Sequence, residues 1–164
     1  MLAVLNVLGS MLMLFSSTYL LPMVASVIYR DGLLSKFALG AALCFGVGAI
    51  VRRMTRDHRR ELRSRDGFLL VTLAWVFMAT VASVPLMLGL PGLSFTDAFY
   101  EAMSGISTTG STVLVGLDTM APSINMWRAT LHWFGGMGII VLAVAILPLL
   151  GVGGMQLYKA EMPG

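Results

Sequence analysis

Uncharged apolar runs occupy residues 1–29, 37–51, 67–96 and 129–158, and most of the charged side chains are crowded into the gaps between them. A helix rising 1.5 Å per residue needs roughly 20 residues to cross about 30 Å of hydrocarbon. Each run reaches or approaches that length, the second once Leu33 to Lys36 are added with the lysine snorkelling to the interface. The pattern predicts membrane-crossing helices near Leu2–Ile28, Leu34–Val51, Phe68–Leu90 and Ile124–Leu150, with a turn at Arg30-Asp31-Gly32. A cleaved secretory signal is the competing reading of the first run. It is set aside because no basic segment precedes the run and the run is too long.

The stretch from Pro91 to Thr112 is too apolar for a solvated loop and too short to span. Phe95, Ala98, Phe99, Ala102, Met103 and Ile106 recur at helical spacing and make one apolar stripe. Ser94 with Asp97 three residues on predicts an N-terminal cap, so a helix starts near Phe95. Some twelve residues reach about 18 Å, roughly half a bilayer, which predicts a re-entrant helix. Ser107-Thr108-Thr109-Gly110-Ser111-Thr112 follows, small and uncharged. Such backbone lies at membrane depth only where protein buries it or it lines a water-filled path. An extended strand there can aim carbonyl oxygens at one axis, with Gly110 free to adopt conformations closed to residues with a Cβ. The carboxyl end of the short helix brings about half a negative charge to the same place. A dehydrated cation of low charge density suits that setting, and rings of backbone carbonyls are how potassium filters replace hydration water. The alternative for these six residues is a polar surface turn.

Composition agrees with a membrane protein: of 164 residues, 57% are hydrophobic and only 12% charged, too few charges to cover a soluble domain. Mean hydropathy is +0.86. A single Cys44, with His58 and His132 as the only histidines, excludes an intrachain disulfide framework and leaves no cluster of transition-metal ligands. The net charge of +3 comes from one block, residues 52–66, where seven arginines outnumber Asp57, Glu61 and Asp66. Two flanking helices tie that block to the membrane, so a nucleic-acid partner is not expected. Basic loops stay on the cytoplasmic side, which places both ends of the chain inside and residues 91–123 outside. Anionic lipid head groups or a cytoplasmic protein would suit the same block.

Several residues take bland readings. Asp97, Glu101 and Asp118 read as a helix cap and an electronegative outer vestibule. Arg128, His132 and Lys159 read as interfacial, as do Trp127, Trp133 and Tyr158 at the ends of the fourth span. Ala42 with Gly46, and the run Gly135-Gly136-Met137-Gly138, predict close helix approaches. Pro85 and Pro148 predict kinks. No nucleophile is paired with a base, so enzymatic activity is not expected.

The segments SRDGFL (64–69), FTDAFYEAMSGISTTGSTVLVGLD (95–118) and HWFGGMGIIVLAVAILPLLGVGGMQLYKAEMPG (132–164) closely resemble the Trk/Ktr/HKT superfamily of potassium transporters, in particular its bacterial TrkH-type subunits. The resemblance covers essentially the whole chain. It implies two leading helices followed by four repeats of outer helix, pore helix, filter and inner helix around one pore. This chain would supply the leading pair (1–51), a cytoplasmic basic linker (52–66) and the first repeat (67–164). The fold expected is all-α: four transmembrane helices plus one re-entrant pore helix and filter loop. The family's filter glycine corresponds to Gly110, so potassium would meet backbone carbonyls of Ser107, Thr108, Thr109, Gly110 and Ser111. No organic cofactor is implied. Expected partners are the remaining repeats of a longer chain, a second copy forming a homodimer, and a cytoplasmic nucleotide-binding regulatory subunit. The expected location is the bacterial inner membrane. One repeat cannot enclose an ion, so the chain reads as a fragment of a transporter, or else as a nonconducting scaffold.

Overall fold

The computed structural model describes residues 1–56 and 64–149. Among them every regular element is helical: α1 (Leu2–Phe15), a 3₁₀ turn (Ser16–Tyr19), α2 (Leu20–Tyr29), α3 (Leu34–Thr55), α4 (Ser64–Gly89), α5 (Phe95–Ile106) and α6 (Pro122–Leu149). Among the described residues three helical stretches are long and apolar enough to cross a membrane: Leu2–Tyr29, Leu34–Thr55 and Asp66–Gly89. The fourth expected span is helical over Pro122–Leu149, 28 residues, or about 42 Å of axis.

Two boundaries lie inside the arginine block rather than at its edges. Helix α3 runs on through Arg52 and Arg53, and α4 already begins at Ser64. Arginine is a good helix former and its long stem carries the charge to water, so the charges mark the membrane edge without ending the helix. The first span is tightened in its middle. Ser16, Ser17 and Thr18 each turn a hydroxyl back onto the carbonyl three residues earlier, at 2.6 to 2.7 Å. These local bonds compete with the α-helical ladder and favour the 3₁₀ turn.

Helices α1 and α3 pack antiparallel. Asn6 Nδ2 donates to the Arg52 carbonyl and to Thr55 Oγ1, each at 3.3 Å, while Cys44 Sγ reaches the Leu12 carbonyl at 3.2 Å. The crossing is at Gly9 and Gly48, where a Cβ on either would stand 2.7 Å from the other's carbonyl oxygen. The expected contact at Gly46 is not there, since a Cβ on that residue would meet nothing within 4 Å. Gly46 and Gly48 both belong to the small-residue run of α3, but only Gly48 faces α1.

Helix α4 leans on both and carries Pro85 within it. Proline has no N–H for the carbonyl four residues back. The carbonyl freed is that of Val81, and it accepts the Tyr19 hydroxyl at 2.8 Å. One residue on, the Ala82 carbonyl accepts Trp127 Nε1 at 3.0 Å. Trp127 is therefore not an interfacial aromatic. It is fully buried in a cluster with Tyr19, Phe15 and Phe37, the Tyr19 ring centroid only 4.3 Å away. An indole N–H inside an apolar layer needs an acceptor, and the proline-disturbed helix offers one. Trp133 is 62% exposed, while Tyr158 and Lys159 lie outside the described residues. Pro148 falls in the last turn of α6.

The turn between α2 and α3 is tied to α6. Asp31 Oδ1 accepts the Ser26 hydroxyl and the Leu33 N–H, while Oδ2 accepts the Ser123 N–H at 3.1 Å. Ser123 lies in the first turn of α6, so the carboxylate caps an unpaired N–H at the positive end of that helix.

Candidate functional site

Helix α5 is the half-length helix that the apolar stripe predicts, 12 residues long. Its cap is reciprocal: Ser94 Oγ accepts the Asp97 N–H at 3.1 Å and donates to Asp97 Oδ2 at 2.7 Å. Ala98, Ala102 and Ile106 are fully buried against α4 and α6, with Phe99 and Met103 packed beside them. Phe95, at the end of the stripe, remains half exposed.

At its carboxyl end α5 is seated directly on α6. A Cβ on Gly135 would run into the Ile106 carbonyl, and one on Gly105 would stand 2.9 Å from Leu131 Cβ. Two backbones meet there with no side chain between them, as small residues allow in membrane bundles. This contact sets the depth at which the short helix stops.

The chain then leaves α5 through a left-handed residue that is not glycine. Thr108 has φ 59°, and the Thr109 N–H returns to the Ser104 carbonyl at 3.0 Å. That is the left-handed helix termination glycine usually provides. In a β-branched residue it stores roughly 1 to 3 kcal/mol of strain, which persists only where surroundings over-determine it. Gly110, with φ 79°, is left-handed without such strain. Two of three successive residues thus turn the backbone through conformations that an extended strand never uses. The segment is irregular coil, not strand, and Thr108 to Val113 are exposed.

What holds this coil is α5 itself. The Ser104 carbonyl takes the N–H of Thr109 and, at 3.4 Å, of Gly110, while its hydroxyl donates to the Ser111 carbonyl at 2.6 Å. One turn earlier, Glu101 Oε2 accepts the Thr112 hydroxyl at 2.9 Å and the Val113 N–H at 3.2 Å. Its other oxygen, Oε1, lies 2.6 Å from Arg128 Nε on α6. Glu101 and Arg128 therefore do not stand free at the surface of this chain. Their side chains are 2% and 15% exposed, and they pair across 27 positions of sequence. Such a pair is legible only once α5 is folded back against α6. His132 Nδ1 lies 2.8 Å from the Arg128 carbonyl, and its Nε2 would be 3.9 Å from a Cβ on Gly110. Asp118 is exposed.

All five expected coordinating residues, Ser107 to Ser111, lie in this one loop. The sequence profile of TrkH, described as "Cation transport protein", matches residues 33–164. The chain belongs to the TrkH family. Its TrkH relatives include the "Trk system potassium uptake protein TrkH" of Salmonella typhimurium, 49% identical over 99% of this chain and 34% of that protein. The "Trk system potassium uptake protein TrkG" of Escherichia coli K12 is 38% identical over 95% of this chain and 32% of that protein. The crystal structure of the potassium transporter TrkH from Vibrio parahaemolyticus superposes with a TM-score of 0.86 at 46% identity, over 94% of this chain and 33% of that one. The chain thus spans about a third of the length of these TrkH-family relatives.

Proposed function

We propose that this chain forms one wall of a four-sided potassium pore in the bacterial inner membrane, with the ion passing along the backbone carbonyls of Ser107, Thr108, Thr109, Gly110 and Ser111. The observation that carries this reading is an exposed coil with left-handed Thr108 and Gly110, hung by Ser104 and Glu101 from the end of a half-length helix. No covalent chemistry is needed. Potassium has a low charge density, so fixed carbonyl dipoles replace its hydration at small cost, and the carboxyl end of α5 adds a favourable field. Ser111 gives one lone pair to Ser104 and keeps a second for the ion. Passage follows the electrochemical gradient.

The boundaries that go with this reading are a leading helix pair at 1–51, a basic linker at 52–66 and a first repeat from 67 onward. Arg52, Arg53 and Arg56 belong to the cytoplasmic side by the positive-inside rule, where anionic lipid or a nucleotide-binding regulatory subunit would meet them. The other three walls come from the remaining repeats of a longer chain, and a second copy completes a homodimer. The names and lengths of the relatives support this assignment.

A second reading is a nonconducting scaffold that keeps the shape of the pore module without its activity. Growth of a potassium-uptake-deficient cell separates the two. The complete reading frame carrying these residues should rescue growth at low potassium, and Gly110→Arg in that frame should abolish rescue. Rescue that survives Gly110→Arg would remove the filter assignment. Rescue by the longer frame but not by these 164 residues makes the segment structural on its own.

A further inference from the structure

An ionisable pair inside a membrane bundle is expensive, and the residues that keep one are functional by default. Glu101 and Arg128 form such a pair, but their attraction to each other does not explain why Glu101 divides its oxygens. Oε1 is spent on Arg128, while Oε2 holds two donors of the coil, Thr112 Oγ1 and the Val113 N–H. Three residues on, Ser104 holds the coil on both sides of Gly110, through its carbonyl to Thr109 and Gly110 and through its hydroxyl to Ser111. Residues spaced by three share a face of a helix. One face of α5 thus clasps residues 109–113, and Arg128 fixes the outer jaw.

We propose that Glu101 is a positioning residue that determines ion selectivity: by pinning Thr112 and Val113 it fixes where the carbonyls just before them point. The proposal rests on the pore reading and adds a residue that touches no ion. A filter whose carbonyls cannot collapse favours the larger ion, and a loosened one closes around a smaller ion. Glu101 is therefore required for potassium to be preferred over sodium, and not simply for the fold.

The test uses the complete reading frame carrying these residues, purified into liposomes, with potassium and sodium uptake measured separately. Thr112→Val removes one bond of the clasp at an exposed position. Glu101→Asp keeps the charge but shortens the arm by about 1.5 Å, too short to reach both partners. The exchange of Glu101→Arg with Arg128→Glu restores an ion pair but offers no acceptor to Val113. In each variant the potassium-to-sodium ratio should fall, by about tenfold for one bond to a charged group, while potassium uptake persists. An unchanged ratio in Thr112→Val overturns the proposal even if Glu101→Asp fails to fold. So does an exchange that recovers the ratio, which would make the pair structural only. A wild type that moves no potassium overturns the pore reading itself, and this inference with it.

Discussion

The hydroxyl of Tyr19 donates at 2.8 Å to the carbonyl of Val81, the group that Pro85 leaves without an intrahelical donor. A proline that would otherwise cost a buried, unsatisfied carbonyl is thereby accommodated between the first and third spans. Tyr19→Phe should destabilise the protein by about 1 to 3 kcal/mol, the cost of leaving that carbonyl unpaired. In a Pro85→Ala background, where the substituted alanine gives its own N–H to the Val81 carbonyl, the same change should cost much less. A double-mutant cycle read by chemical unfolding in detergent checks it, and additive effects would show that the hydroxyl and the proline are unrelated.

The seat of α5 on α6 makes a sharper prediction. Gly135→Ala places a methyl group against the Ile106 carbonyl, and Gly48→Ala places one against the Gly9 carbonyl. Backbone cannot yield as a side chain does, so each should cost at least the roughly 1 to 3 kcal/mol of an overpacked core. Gly46→Ala, with nothing within 4 Å, should gain a few tenths to about 1 kcal/mol from helix propensity. Thermal stability of the three variants side by side checks it. Equal effects at Gly46 and Gly48 would remove the assignment of the crossing.

Much of this architecture is legible in the sequence. The stripe from Phe95 to Ile106 and the Ser94–Asp97 cap are local periodic signals, and α5 begins and ends where they place it. The site loop follows for the same reason. What is not legible depends on a second element. The acidic character of Glu101 and the basic character of Arg128 suggest surface residues until the bundle brings them together, and Trp127 looks interfacial until α1, the 3₁₀ turn, α3 and α4 close over it. Spacing by four marks Gly46 as readily as Gly48, because a helix with small residues on several faces does not announce which face meets α1. Thr108 gives no signal at all, since nothing in its side chain favours φ 59°.

Asp31 predicts a pH dependence. Burial alone would push its carboxyl upward, but the Ser26 hydroxyl and the N–H groups of Leu33 and Ser123 outweigh that, and its pKa lies below the ordinary value. A lowered pKa means the ionised form is favoured in the fold, so the stability Asp31 contributes is fully present above the unfolded pKa, about 3.9. It is lost as pH falls through the lower, folded value. Asp31→Asn should therefore be less stable than the wild type at pH 7, with the gap constant down to about pH 5 and closing only in stronger acid. A gap that closes between pH 7 and 5 would show that another group carries the effect.

Removing one member of the Glu101–Arg128 pair should cost more than losing a surface ion pair. With Arg128→Gln the carboxylate stays buried at 2% exposure and lacks its cation, a loss of about 3 to 5 kcal/mol. Lys at that position should recover only part of it, since an ammonium does not reproduce the directed Nε–H of the guanidinium. Folded protein recovered from membranes, compared among the three side chains, checks the order Arg, Lys, Gln.

Thr108 offers the opposite combination, a change that should help the fold and harm the proposed pore. Glycine adopts φ near 60° without the clash that Thr108 tolerates, so Thr108→Gly should raise stability by about 1 kcal/mol. Strain of this kind marks a conformation imposed by the surroundings, here the return of Thr109 to Ser104, with the Thr108 methyl, Cγ2, lying 3.8 Å from where a Cβ on Gly136 would stand. Glycine removes that methyl and widens the backbone's choices just before Gly110, so potassium uptake by the complete frame should become less selective against sodium as thermal stability rises. Stability and selectivity falling together would instead mean that the threonine side chain, and not the left-handed backbone, is what the site requires.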